Sequence, residues 1–227
     1  MSEKEKQKKS PLLLSSVKSA WLTPVNHGTE LDNNKKMKEM RPKILKRDND
    51  TCQYCGWQSD RFQEIHHVNH NHKDFSEKNL KTICPLCHQV FHLSTASITD
   101  GGEIIWLPEI SQEVLNQICF AIFIAEKSGN KKWEAPAKRL FNSFNSRADF
   151  VNGNLVNGAS DPAVLAEVLL DISKEEYENR ENLVGSLRLL PFSNRFKSQI
   201  EYWSATQYKK LPLGDDWLKL VPKDLNI

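Results

Sequence analysis

Nine residues from Cys84 to His92, CPLCHQVFH, hold two cysteines and two histidines, side chains whose sulfur and nitrogen atoms ligate metals. A second C-x-x-C pair, Cys52 and Cys55, lies upstream with 28 residues between the pairs. Each C-x-x-C sets two sulfurs on one tight turn, and zinc prefers four thiolates in a tetrahedron, so two such turns can close a loop around one ion. The spacing predicts a closed, structural zinc site of Cys52, Cys55, Cys84 and Cys87, whose metal contributes folding energy directly. A redox dithiol or unligated core cysteines are the competing readings of these residues. The fifth cysteine, Cys119, stands in the apolar run VLNQICFAIFIA and reads as a small core residue.

If four sulfurs saturate one zinc, the neighbouring histidines are available for another role. His66 and His67 stand in EIHHVNHNH, Asn79 in KNLKTICPLCH, and His92 follows His88 by four residues, one turn along the same face of a helix. The order I-H-H-V, N-L, C-x-x-C-H-x-x-x-H resembles the HNH nuclease motif, a ββα-metal fold in which two strands and a helix grip one catalytic divalent ion. That resemblance implies His67 as general base, His66, His88 and His92 as ligands of a second ion (Mg, Mn, Ni or Zn), and Asn79 as the residue holding the base's loop. Imidazole accepts a proton near neutral pH, while a Lewis-acid ion stabilises charge developing on phosphate oxygens. His70 and His72 match no motif position and read as solvated loop residues. Against catalysis stands the alternative that these imidazoles merely pack around the zinc, since a scaffold needs only the cysteines. Residues 41 to 92 carry eight Lys and Arg against six Asp and Glu, a weak field for a duplex-binding nuclease.

The elements around these groups can be read coarsely. The chain of 227 residues is long enough for one large or two small domains, and its net charge of +2 gathers no nucleic acid by itself. Near the start no apolar run exceeds Leu12 to Leu14, too short for a signal sequence or a membrane span, which predicts a cytoplasmic protein. Residues 1–10 read as a charged tail, 26–40 as a polar loop, and 41–50 as a short helix after Pro42 with Ile44 and Leu45 turned inward. A knuckle at CQYCG, a strand at FQEIHHV, a strand or turn at LKTICPLC, a helix from near His88 and a strand at GGEIIWLP follow. Ser111 then caps a buried helix whose apolar run from Val114 to Ala125 is broken only by Asn116 and Gln117. In KKWEAPAKRLFNSFNSR, Leu140, Phe141 and Phe144 fall at helical spacing, and five basic residues face Glu134, a solvated face or a partner- or phosphate-binding one. After the turn-rich linker VNGNLVNGAS, Asp161 and Pro162 start a helix, and Ser173 with Glu176 forms a capping box. Apolar anchors over residues 187–222, interrupted by Pro191 and Pro212, predict a closing segment that wraps a surface, of this chain or of a partner. The predicted organisation is α+β: a tail and loop over 1–40, a zinc-binding ββα domain over 41–105, and a mainly helical region over 106–227 packed on it.

Beyond the HNH motif, three stretches carry a wider resemblance: GGEIIWLPEISQEVLNQICFAIFIA, SDPAVLAEVLLDIS and SLRLLPFSNRFKSQIEYW. With the paired C-x-x-C they are similar to the IcmJ/DotN family of the Dot/Icm type IVB secretion apparatus and its conjugative relatives, over residues from about 11 to 205. The resemblance implies a zinc-containing adaptor in the inner-membrane coupling complex. Such a subunit binds the cytosolic tail of the coupling ATPase and other complex subunits, is drawn by them to the cytoplasmic face of the inner membrane, and has no known nuclease activity. This chain departs from the best-known member by keeping histidine where that protein has other residues. A partner peptide would need apolar anchors, for which Trp106, Trp133, Phe141, Phe144, Trp203 and Trp217 are candidates, though each reads as core before interface. The adaptor is the leading expectation, and a divalent-metal nuclease acting on DNA is the alternative.

Overall fold

The computed structural model describes residues 11–16, 35–72 and 74–209; the expected tail 1–10 and Trp217 lie outside them. Helix α1 (Lys35–Arg47) turns Met37 and Ile44, seven residues apart, onto one buried stripe. Residues 35–40, expected as loop, are therefore helical: Lys, Met and Glu are good helix formers, and Met37 gives them an apolar anchor. Strand β1 (Glu64–His67) pairs antiparallel with β2 (Leu80–Ile83), Glu64 facing Ile83 and His67 facing Leu80. Short helices α2 (Pro85–Gln89) and α3 (Leu93–Ile98) follow directly.

A second two-stranded sheet joins β3 (Gly102–Trp106) to β4 (Leu187–Pro191), antiparallel, with Gly102 opposite Pro191 and Trp106 opposite Leu187. A side chain at Gly102 would collide with the carbonyl of Leu190, so only glycine allows this approach. Between these strands run α4 (Gln112–Lys127), α5 (Lys131–Asn145), α6 (Arg147–Asn154), α7 (Pro162–Asp171), α8 (Lys174–Glu178) and α9 (Glu181–Val184); α10 (Lys197–Ala205) comes last. The expected caps form: Ser111 accepts from the Val114 amide, Asp161 from Ala163, and Ser173 with Glu176 closes a capping box. Residues 151–154, expected within a linker, instead belong to α6. The fold is α+β.

The core is centred on α4, whose Ile118, Cys119, Phe120 and Ile122 are fully buried, and it runs from the four paired cysteines to Leu189 and Trp203. Burial pushes the Cys119 thiol well above its ordinary range, as befits a core residue. A smaller cluster of Met37, Ile44, Ile65 and Leu80 holds α1 beneath the first sheet. The closing segment wraps this chain's own cysteine knuckle as far as it is described. Trp203 donates to Ser59 Oγ at 2.9 Å and packs edge-on against Trp57 and Phe120, while Tyr208 stacks on Trp57 with centroids 4.0 Å apart. Trp133, Phe144 and Trp203 are thus core residues rather than partner anchors, Phe141 is half-buried, and Trp106 is 37% exposed.

One carboxyl sits uneasily in this frame. Glu103 on β3 is half-buried with a buried oxygen that has no partner among the described residues, and burial, then repulsion from Asp149, pushes it up to about 7. A raised carboxyl stabilises the fold only while protonated, so its contribution is complete below the unfolded value and is lost as pH rises through about 7. Glu103→Gln should therefore stabilise the protein at pH 8 by about 1–2 kcal/mol, after discounting for half exposure, with the gain shrinking toward pH 5. Denaturant melts of both proteins at the two pH values measure this; a gain independent of pH would contradict it.

Candidate metal centre and histidine cluster

The first cysteine pair sits on a knuckle between α1 and β1. Cys52 donates its amide to the Trp57 carbonyl, Gly56 donates back to Cys52, and Gly56 takes the left-handed conformation (φ 79°) that the reversal needs. Cys84 caps α2, its sulfur accepting from the Cys87 amide at 3.4 Å, and Pro85 takes the first helical turn. All four side chains are buried, and their sulfurs lie within 4.8 Å of one another. Cys55 and Cys84 Sγ are 3.6 Å apart. That is far beyond a disulfide bond of about 2.05 Å, and close to the roughly 3.8 Å edge of a tetrahedron with Zn–S bonds of about 2.3 Å.

Burial pushes the Cys84 and Cys87 thiols well up. Burial would raise Cys52 too, but hydrogen bonds from Cys55, Cys84 and Cys87 hold it well below its ordinary range, so the set shares its protons. Two N–H groups nonetheless aim at sulfur: the Cys87 amide at Cys84, and Asn116 Nδ2 at Cys87 Sγ, 3.2 Å away. Donors so placed suit thiolates, and buried thiolates need a cation. The donor set thus fits a soft divalent ion such as zinc.

Helix α4 supplies that support. Gln112 Nε2 donates to Asn116 Oδ1 at 3.0 Å and to the Leu189 carbonyl at 2.8 Å, which sets the amide's orientation, and Gln117 donates to the Cys55 carbonyl at 2.5 Å. The two polar residues that interrupt the apolar run are the ones that brace the cysteines. Their position inside a buried helix was the signal for that role.

Strand alternation divides the histidines. Glu64 and His66 face α2, while Ile65 and His67 face α1 and the loop after β1. His66 stacks on Phe91 with centroids 4.2 Å apart, and its ring lies 5.6 Å from that of His88. His88 Nδ1 meets Glu64 Oε2 at 2.5 Å, and its Nε2 lies 3.3 Å from His92 Nε2. Burial opposes ionisation of Glu64, but the bond to His88 and the charges of His88, Arg195 and Arg41 together outweigh it and lower the carboxyl. Among the described residues, the four cysteines form the one group of three or more donors this close; His66 does not join His88 and His92 in another.

The single helix expected to carry His88 and His92 is in fact two. It ends at Gln89, and His92 is the non-helical cap (φ −139°, ψ 58°) at the start of α3. The backbone of Ser15 fills the break, donating to the Val90 carbonyl at 3.0 Å and accepting from the Leu93 amide at 3.5 Å. His67 is buried with neither ring nitrogen partnered among the described residues, and burial, then repulsion from His72 and His88, lowers it to about 4. Asn79 ties the loop above it, accepting from the Asn69 amide and donating to the Asp74 carbonyl, both at 2.9 Å. His70 is not the solvated residue expected: it is half-buried, 5.4 Å from the His66 ring and 6.0 Å from Phe91, and burial, then Arg180, lowers it to about 4. His72 is exposed as expected, though its ring is 4.9 Å from His67.

Sequence reasoning missed two members of this cluster. A cavity of about 160 Å³ beside His88 and His92 is also lined by Glu64, Gln89, Arg195 and Gln199. Glu64 was legible in principle, two residues before His66 on one strand face. Arg195 arrives from a segment that no local pattern connects to the histidines.

Two short strands and a helix around a buried tetrathiol, with imidazoles alongside, define an HNH-like metal unit, and residues 52–92 match the family model for HNH endonuclease. The likeness extends further along the chain. Over 178 residues it is 32% identical to the type 4 apparatus protein DotN of Legionella pneumophila subsp. pneumophila, covering 78% of this chain and 83% of that protein. The chain belongs to the DotN family. No helix among the described residues is long and apolar enough to cross a membrane.

Proposed function

We propose that this protein is a structural adaptor of a type IV secretion apparatus, in which one zinc ion held by Cys52, Cys55, Cys84 and Cys87 fixes an HNH-like scaffold that captures the cytosolic tail of the coupling ATPase. In that role the ATPase and its companion subunits recruit it to the cytoplasmic face of the inner membrane. The observation that carries the reading is the bracing of the cysteine cluster by Asn116 and Gln117 on the central helix, which makes the ion a keystone of the whole core. Zinc closed on four protein sulfurs has no open position for substrate. Bound there, it would supply folding energy and no Lewis-acid chemistry.

A second reading rests on its own observation. His67 is neutral at pH 7, lies beside a loop clamped by Asn79, and so retains the form a general base needs. His88 with Glu64 on Nδ1 repeats the carboxylate–histidine pairing of metal sites, which leaves Nε2 to the ion. Under this alternative His66, His88 and His92 hold a Mg, Mn, Ni or Zn ion, and DNA is the substrate.

Plasmid nicking at low salt with Mg²⁺ or Mn²⁺, run beside a pull-down on an immobilised coupling-ATPase tail, separates the two. The adaptor reading expects retention on the tail and no nicking above background. Nicking that His67→Ala abolishes would transfer the conclusion to the nuclease.

A further inference from the structure

Seven large apolar side chains are exposed among the described residues, and six of them line one groove: Trp106 (37%), Phe150 (48%), Leu155 (62%), Val156 (59%), Val168 (42%) and Leu183 (49%). The groove encloses about 600 Å³, with Ile104 and Leu187 of the second sheet as its floor. Helix α6 and the loop after it form one wall, and α7 with α9 the other. Soluble monomers rarely gather their exposed apolar surface in one place unless something binds there. A trough between helices suits the apolar stripe of another helix, whose side chains at i, i+3 or i+4 and i+7 enter in a row.

Charge identifies the occupant. Residues 147–184, which supply both walls, carry eight acids (Asp149, Asp161, Glu167, Asp171, Glu175, Glu176, Glu178 and Glu181) against Arg147, Lys174 and Arg180, a net −5 in a chain of net +2. The three cations are engaged locally: Arg147 with Glu109 at 2.8 Å, Lys174 with Glu178 at 3.8 Å, and Arg180 with the Leu14 carbonyl and the Tyr177 ring. Asp149, Glu167 and Glu181 lie one or two residues from lining side chains and form no ion pair among the described residues. An apolar trough whose walls come from a segment of net −5 selects an apolar stripe flanked by Lys and Arg, and rejects one flanked by acids.

We infer that this groove docks a cationic amphipathic helix of a protein partner. The inference deepens the adaptor reading by giving peptide capture a place and a chemistry, and it rests on that reading for the partner's origin. It is tested on the full-length protein with two fluorescein-labelled peptides that share one leucine stripe, one flanked by lysines and one by glutamates. Anisotropy should show saturable binding of the lysine peptide, at least about tenfold weaker for the glutamate peptide, and weakened by salt. Val168→Arg and, independently, Leu183→Arg should each weaken the lysine peptide about tenfold or more, while Ile98→Arg, outside the groove, leaves it unchanged. Equal binding of the two peptides, no binding of the lysine peptide, or full binding by both groove variants would overturn the inference. Competition with the coupling-ATPase tail separates the two levels. A lysine peptide that binds the groove while the tail binds nowhere sinks the adaptor reading alone. A tail that binds both groove variants normally sinks the groove as its site alone.

Discussion

A Cys87→Ser protein is expected to purify without zinc and with its HNH-like unit unfolded. Serine offers a hard, neutral oxygen that stays protonated at neutral pH, so the ion loses a quarter of its donor charge and its tetrahedron. The loss does not stay local. Cys87 is fully buried and accepts the Asn116 amide, so the change removes a charge-assisted hydrogen bond in the centre of the core. Structural zinc in small domains contributes apparent binding energies of roughly 10–16 kcal/mol, against a net stability of about 5–15 kcal/mol for a whole domain. Even a part of that sum decides whether the region folds. Metal analysis together with limited proteolysis reads the outcome: cleavage should appear between Cys52 and His92 in the variant and be absent from the parent. Full zinc content with unchanged protection would contradict it.

The second large effect is expected at Trp203. It is 1% exposed, packs on Trp57, Phe120 and Phe62, and donates to the buried Ser59 hydroxyl. Truncating a buried tryptophan costs about 3–5 kcal/mol, with about 1 kcal/mol more for the hydroxyl left without its donor. For a domain of this size that is a fall in melting temperature of roughly 10–20 °C. Trp106→Ala should behave in the opposite way, costing about 1 kcal/mol or less because the ring is over a third exposed, while weakening peptide capture in the groove. Thermal melts of the two variants side by side test the assignment of one as core and the other as contact surface. Equal losses would refute it.

Local rules were the legible part of this fold. The C-x-x-C spacing placed the four sulfurs, and Ser111, Asp161 and the Ser173–Glu176 pair announced their helices because caps act within a few residues. What escaped was non-local. Strand β4 reads as an apolar anchor until β3, more than eighty residues earlier, offers its edge. His88 and His92 read as one helical face until the backbone of Ser15 is inserted between their helices. The histidine cavity shows the same limit: His88 and His92 in its lining are spaced like a motif, while Arg195 and Gln199 come from the other end of the chain.

Zinc K-edge X-ray absorption on the purified full-length protein tests the central claim most directly, because one spectrum reports both the presence of the ion and its donors. The account predicts a single shell of four sulfurs at about 2.3 Å with no nitrogen scatterers. A shell of mixed sulfur and imidazole nitrogen, or protein without zinc, would contradict it.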